Sequence, residues 1–256
     1  MHLSFVALAS VLAAGFLAGF LNALAGGGTL VTFPILVLLG MNAITANATS
    51  TVALVLGTVG SFWGYRRQLA SARPWLRAFL LPSAFGGLLG GILLSGTPTR
   101  VFDFLVPYLI LLATLLFLAR NFFIRQLTKG LQNETPSPRL LVVFFQLLIG
   151  IYGGYFGAGI GILMLASLSL MGLHNIIEIN ALKTILGSTI NMVAAVYFIA
   201  KGLVDWTVVL ILALGALPGY YSGAVFAQRI PMTLVRHLIV AIGLLLTAAT
   251  FIQQIR

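Results

Sequence analysis

The chain contains no cysteine, which removes disulfides, thiolate metal ligation and any thiol or persulfide relay from its chemistry. Charge is almost as scarce. Of 256 residues, 7% are charged, and only Asp103, Glu134, Glu178 and Asp205 are acidic. A soluble globular domain carries about 25% charged residues. The three histidines, His2, His174 and His237, lie near segment ends without clustered metal partners, so neither a metal nor another cofactor is expected. A membrane-embedded hydrolase would need a nucleophile with a base within hydrogen-bond reach, and Gly187-Ser188 has no histidine in its own segment. An enzyme and a purely structural membrane protein are therefore the lesser readings.

Apolar length is abundant. Sixty per cent of the residues are hydrophobic, and the mean hydropathy is +1.11. Runs at 3–24, 47–65, 76–95, 104–123, 180–200, 206–227 and 234–252 are each about twenty residues long, enough as helix to cover the roughly 30 Å hydrocarbon core. They are continuously apolar rather than alternating, which selects helices over a barrel. The expected fold is all-α: a polytopic membrane protein of about eight transmembrane helices. The first run lacks a positively charged leader and is read as a retained segment, not a signal peptide.

The formal charge of +10 is concentrated at segment ends. Arg66, Arg67, Arg73 and Arg77 flank one short loop, and Arg120, Arg125, Lys129 and Arg139 flank another, as expected of cytoplasmic loops. No basic face with interleaved aromatics appears elsewhere, so no nucleic-acid partner is expected.

The polar stretch RQLTKGLQNETPSPR, 125–139, reads as a loop because of Pro136 and Pro138. It divides one transporter domain, 1–256, into repeats of about 3–123 and 140–252, with a linker of about 124–139. An offset of 133 residues carries Ala25, Gly26 and Gly28 onto Ala158, Gly159 and Gly161, Asn47-Ala48 onto Asn180-Ala181, and Pro98 onto Pro231. Each half thus reads as an apolar run, a glycine break, a short apolar run, an Asn-Ala step and three full helices. Basic residues divide equally well between the two sides whether the halves are parallel or inverted; analogy with other duplicated transporters favours inversion.

The break itself reads NALAGGGTLVTFP, Asn22 to Pro34. Three consecutive glycines are poor helix interior, and Pro34 compounds this. One helix is expected to end at Ala25-Gly26 and the next to begin near Thr29, a fair N-cap type. The following runs, 29–40 and 160–172, are too short to cross alone and read as half-helices or re-entrant segments. Their unpaired first N–H groups and positive dipole ends suit an anion. Gly15 and Gly19, by contrast, read as small residues for close helix packing.

Asn47-Ala48-Thr49-Ser50 and Asn180-Ala181-Leu182-Lys183 each open a long helix, so capping competes with binding for the two asparagines. Lys183 lies a turn into an apolar run, where a charge is costly and functional by default unless it snorkels to the interface. Lys183, Gly187 and Asn191 share one helical face. Glu178 could pair with Lys183 or carry a proton. No buried carboxylate pair of the proton-pump kind is visible.

The elements GFLAGFLNALAGGGTLVTFPILVLLG, ANATS, GAGIGILM and INALKTILGSTIN together resemble the TauE/SafE family of sulfite exporters and related anion transporters across essentially the whole chain. The resemblance implies a multi-pass protein of the bacterial cytoplasmic membrane that moves sulfite, sulfoacetate or similar small sulfur anions. The second-half glycines depart from the triple glycine. The expected anion site comprises Asn22, Gly26, Gly27, Gly28, Asn47, Thr49, Ser50, Gly159, Gly161, Asn180, Lys183 and Asn191, with access alternating between the two sides. The expected partners are a small anionic substrate and the lipid bilayer; a homo-oligomer is compatible with the sequence.

Overall fold

Ten helices and no strand make up the regular structure of the described residues. The computed structural model describes residues 5–24, 26–65, 73–129, 140–169, 176–226 and 232–255. In order, the helices are α1 (Phe5–Leu24), α2 (Thr29–Leu38), α3 (Ala43–Tyr65), α4 (Arg73–Gly96), α5 (Thr99–Lys129), α6 (Leu140–Tyr155), α7 (Ile160–Ser169), α8 (Ile176–Ala200), α9 (Trp206–Phe226) and α10 (Met232–Ile255). Five contain apolar stretches long enough to cross a membrane: Phe5–Leu24, Trp75–Gly96, Thr99–Ala119, Leu182–Ala200 and Trp206–Gly223. Large apolar side chains such as Leu214, Leu245 and Tyr221 are exposed, an arrangement suited to lipid rather than water.

The glycines decide which helices touch. A Cβ on Gly15 or Gly19 would run into the main chain of Leu212 or Ala216, and one on Gly215 or Gly219 into the main chain of Leu12 or Phe16. Backbone approach of this kind is how helices associate where lipid removes the hydrophobic drive, so α1 lies along α9, as the packing role read for Gly15 and Gly19 requires. Gly86 and Gly90 bring α4 equally close to Gly150 and Ile151 of α6.

These contacts also set direction. The pairs Gly15–Leu212 and Gly19–Ala216 advance together, so α1 and α9 are parallel. By the same reasoning α4 is parallel to α6 and, through Gly87–Ile190 and Gly91–Ala194, to α8. Thr49 meets Asp205, and Gly57 meets Tyr220, so α3 is parallel to α9. The pairs Thr114–Gly243 and Tyr108–Phe251 advance oppositely, so α5 and α10 are antiparallel. The amide of Asn42 reaches Thr99 (3.4 Å), and Ser95 reaches Tyr197 (3.1 Å). The starts of α3, α5 and α9 and the ends of α4 and α8 therefore gather at one face.

Several boundaries differ from the sequence reading. Asn42, not Asn47, caps α3: its Oδ1 accepts from Ile44 N (2.9 Å) and Thr45 N (3.5 Å). Asn47 is already a turn inside, and Asn180 is likewise inside α8, which begins at Ile176. Capping therefore accounts for neither. The N-cap of α2 is Gly28 rather than Thr29, and Pro34 lies within α2 without ending it. A ten-residue helix tolerates that proline because only one i→i−4 bond is lost. α5 continues to Lys129, into the expected linker, with Asp103 exposed in its second turn. Asp205 caps α9, accepting from Val208 N (3.1 Å).

Candidate functional site

Both short helices follow a chain reversal, and both reversals use the same device. Gly26 and Gly157 have positive φ (82° and 80°), a conformation that costs glycine nothing. Each sends its N–H back five residues, Gly26 to Leu21 O (3.3 Å) and Gly157 to Tyr152 O (3.2 Å), closing the preceding helix as a Schellman-type end does. Gly28 then lies against the main chain of Ala18, ten residues earlier. A continued helix would put those residues about 15 Å apart, so α2 folds back beside α1. Gly153 is likewise packed against Ile160, which folds α7 back along α6. Since α1 runs with α3 and α9, and α6 with α4 and α8, the two hairpins enter from opposite faces.

Their tips meet. A Cβ on Gly26 would stand 3.7 Å from Gly161 Cα. One on Gly157 would stand 3.7 Å from Asn191 Oδ1 and 4.0 Å from Thr29 Oγ1. Asn22, Gly26, Thr29, Gly157 and Asn191 are half-buried, whereas Gly27, Gly28, Gly159 and Gly161 around them are buried. The polar groups at the junction are thus partly accessible.

The expected site residues fall into distinct roles. Asn22 fastens the first tip: its amide donates to the Tyr220 hydroxyl of α9, and its Oδ1 accepts from Gly28 N (3.4 Å). Gly27 is buried against Phe117 and Ile239. Leu30 and Val31 N–H turn back to Gly27 and Gly28 carbonyls (3.1 and 3.0 Å), and Gly28 N is taken by Asn22, so an added ligand at this helix start would be met by the N–H groups of Gly27 and Thr29 rather than by those further in. At the second tip Ile162 N turns back to Gly159 O (3.0 Å), and Gly159 packs against Ala113 of α5. Tyr152 donates its hydroxyl to Ala158 O (2.7 Å), bracing that tip.

Asn47 reaches across to the other hairpin: its Nδ2 donates to Tyr155 O (3.0 Å) at the end of α6. Ser50 and Thr32 share a hydrogen bond between buried hydroxyls, joining α3 to α2. Thr49 is buried and accepts from Asp205 N (3.1 Å), at the start of α9 and away from the tips. Lys183 is half-buried in α8. Gly187, one turn on, faces Ile160 and Met164 of α7. The Lys183–Gly187–Asn191 face therefore runs along α7 up to the junction, about 12 Å from Lys183 to Asn191 at helical rise. The side chains of Asn180 and Glu178 and all of His174 lie outside the described residues. Thr29, Thr32, Gly157 and Tyr220 are contributors that the sequence reading did not select; Gly157 alone carried a signal, as the first glycine of GAGIG.

Comparison with known proteins agrees with this architecture. The sulfite exporter TauE/SafE family matches residues 11–250. The chain is 31% identical over 255 residues to a protein of Haemophilus influenzae described as a probable membrane transporter protein, covering 96% of this chain and 95% of the relative. It is 28% identical over 246 residues to the probable membrane transporter protein ORF9 of Sinorhizobium sp, covering 95% of this chain and 92% of the relative. It is 26% identical over 237 residues to the probable membrane transporter protein YfcA of Escherichia coli, covering 91% and 85%. These names point to a transporter rather than an enzyme, and with the long apolar helices they make this a multi-pass membrane protein. A family match from Val11 to Thr250, embracing both glycine breaks, leaves a single assignment: the chain belongs to the TauE/SafE sulfite exporter family.

Proposed function

We propose that the protein is a secondary transporter that exports small anions, sulfite or organosulfonates, across the bacterial cytoplasmic membrane. The observation that carries this reading is the meeting of the two hairpin tips at Gly26 and Gly161. Two helix starts, α2 and α7, converge there with partial positive charge, beside the amide of Asn191 and the hydroxyl of Thr29. One polar helix face leads away from it to Lys183. Hydrogen-bond donors and positive potential describe an anion site.

The pairing of helices supports two homologous, inverted halves. Exchanging α1 with α6, α2 with α7, α3 with α8, α4 with α9 and α5 with α10 leaves the main pattern of contacts intact: α1–α9 becomes α6–α4, and α3–α9 becomes α8–α4. In this reading α3–α5 and α8–α10 cross the membrane, and the hairpin arms α1 and α6 bring the long membrane helices to eight. With the arginine-flanked loops cytoplasmic, the Asn42–Thr99 face is external. Rocking one half against the other would expose the junction alternately to each side. The membrane potential, negative inside, assists anion loss by about 2.3 kcal/mol per charge per 100 mV.

The test is flux of unchanged sulfite, and of a sulfonate in parallel, from proteoliposomes of the purified chain. Saturable, protein-dependent efflux is expected. Efflux equal to that of empty liposomes for both anions would overturn the assignment.

A further inference from the structure

Asn47 keeps an unpaired oxygen, not a donor, near the end of α6. Its side chain is 1% exposed, and its orientation is set by its partner. Nδ2 donates to Tyr155 O (3.0 Å); the flipped amide would oppose two oxygens and lose that bond. Oδ1 is left buried with no hydrogen-bond donor. A buried, unpaired acceptor of this kind costs about 1–3 kcal/mol, so its retention asks for a partner.

Its surroundings specify the sign of that partner. Because the two amide atoms belong to one planar group, Oδ1 lies beside the end of α6, where the helix dipole presents about half a negative charge. The positive φ of Gly157 stops α6 there; Tyr152 O accepts from Gly157 N (3.2 Å) and Tyr155 O from Asn47 Nδ2 (3.0 Å), and a carbonyl oxygen has a second lone pair with which to meet a cation. An anion is disfavoured at this spot. A cation is favoured, and broken transporter helices hold coupling ions with such carbonyl ends. The available ligands are neutral oxygens. No group of three or more His, Asp or Glu residues suited to a metal occurs among the described residues, and hard divalent ions rely on carboxylates. The chemistry therefore fits a monovalent cation of sodium size.

We infer that Asn47 Oδ1 and the terminal carbonyls of α6 form a monovalent cation site, occupied by Na+, two residues from the Gly157 of the junction. A cation held there adds positive potential beside the anion and links the two bindings, so Na+ is the coupling ion. This extends the transporter reading but is tested apart from it.

The experiment measures binding of radioactive Na+ to purified protein in detergent, with thermal unfolding followed in NaCl, KCl and choline chloride. Saturable Na+ binding and a melting temperature raised by Na+ but not by choline are expected. Both should be lost in Asn47→Leu, which keeps the volume and removes the oxygen. Asn47→Ser, which replaces the amide oxygen by a shorter hydroxyl, covers the case in which the leucine variant does not fold; it should bind Na+ more weakly than the wild type. No saturable Na+ binding by the wild type would overturn the site and point to a buried water instead, and unchanged binding in both variants would overturn the role of Asn47. Neither readout needs an anion to move, so failed sulfite flux with intact Na+ binding would overturn the function and leave this site standing.

Discussion

Gly26 of the first chain reversal lies against Gly161 of the second, with space between them for no more than an ordinary methyl contact at 3.7 Å. Two segments far apart in sequence, each reversed by a glycine of positive φ, thus share one junction.

An alanine Cβ at Gly26 would make only ordinary van der Waals contact with Gly161 (3.7 Å) but would sit on an unfavourable backbone, since φ is +82°. The left-handed region costs a non-glycine residue roughly 1–2 kcal/mol. Gly28 has ordinary helical φ (−57°), but a Cβ there would stand 2.7 Å from Ala18 O. Gly26→Ala should lower the melting temperature modestly, and Gly28→Ala should pry α2 from α1 and abolish flux. Equal wild-type flux from Gly28→Ala would show that the hairpin need not be tight.

The glycine faces between helices set stability rather than transport. Valine at Gly15 or Gly90 would collide with the main chain of Leu212 or Ile151, where no side chain can move aside. Overpacking typically costs 1–3 kcal/mol, and backbone collisions belong at the upper end. Size-exclusion profiles of detergent extracts should show aggregation for both, whereas Gly96→Val, with open space around it, should remain monodisperse.

Asn22 joins the first tip to α9 through Tyr220 and to its own helix start through Gly28. Each such bond contributes about 0.5–1.5 kcal/mol. Tyr220→Phe removes one, and Asn22→Ala removes both. Thermal unfolding of the two single variants and the double variant should show non-additive losses. Strict additivity would mean that the two side chains act independently.

Lys183 and Asn191 lie on the polar face of α8 that leads to the junction. Lys183→Ala and Asn191→Ala should each reduce sulfite flux in proteoliposomes at least tenfold, the order of one lost charge-assisted hydrogen bond of about 1.5–3 kcal/mol; Lys183→Arg should retain part of it. Unaltered flux in both alanine variants would remove α8 from the path.

Because the chain has no cysteine, a single introduced thiol reports its own side of the membrane. Arg100 and Lys201 are exposed on the face where α4 and α8 end. Arg100→Cys and Lys201→Cys should both react with a membrane-impermeant maleimide added to intact cells, and a thiol at Arg67 only after permeabilisation. Protection of one but not the other would contradict inverted halves, and protection of both would reverse the orientation.

Much of the architecture could be read directly from residue order. Apolar run length predicted the membrane helices, the triple glycine marked the first reversal, and GAGIG marked the second; the 133-residue offset pairs Gly26 with Gly159, whereas the matching reversal is at Gly157, 131 residues on. Gly15 and Gly19 announced a packing face through their spacing. What could not be read was the partner of that face, because a small-residue stripe fits any other helix equally well. Asn47 and Asn180 looked like caps because helix starts in apolar sequence give no sharper signal than the first polar residue, and Asn42 was overlooked.

Composition and periodicity are local properties, and they suffice for helix number, membrane residence and the position of each break, since burying backbone polar groups in lipid leaves few alternatives. Direction and convergence are non-local. That the two tips touch and that Asn47 gives its amide donor to Tyr155 while its oxygen stays unpaired depend on contacts between residues more than a hundred positions apart. Those contacts arise only when the glycine faces of α1 and α9, and of α4 and α6, bring the helices together.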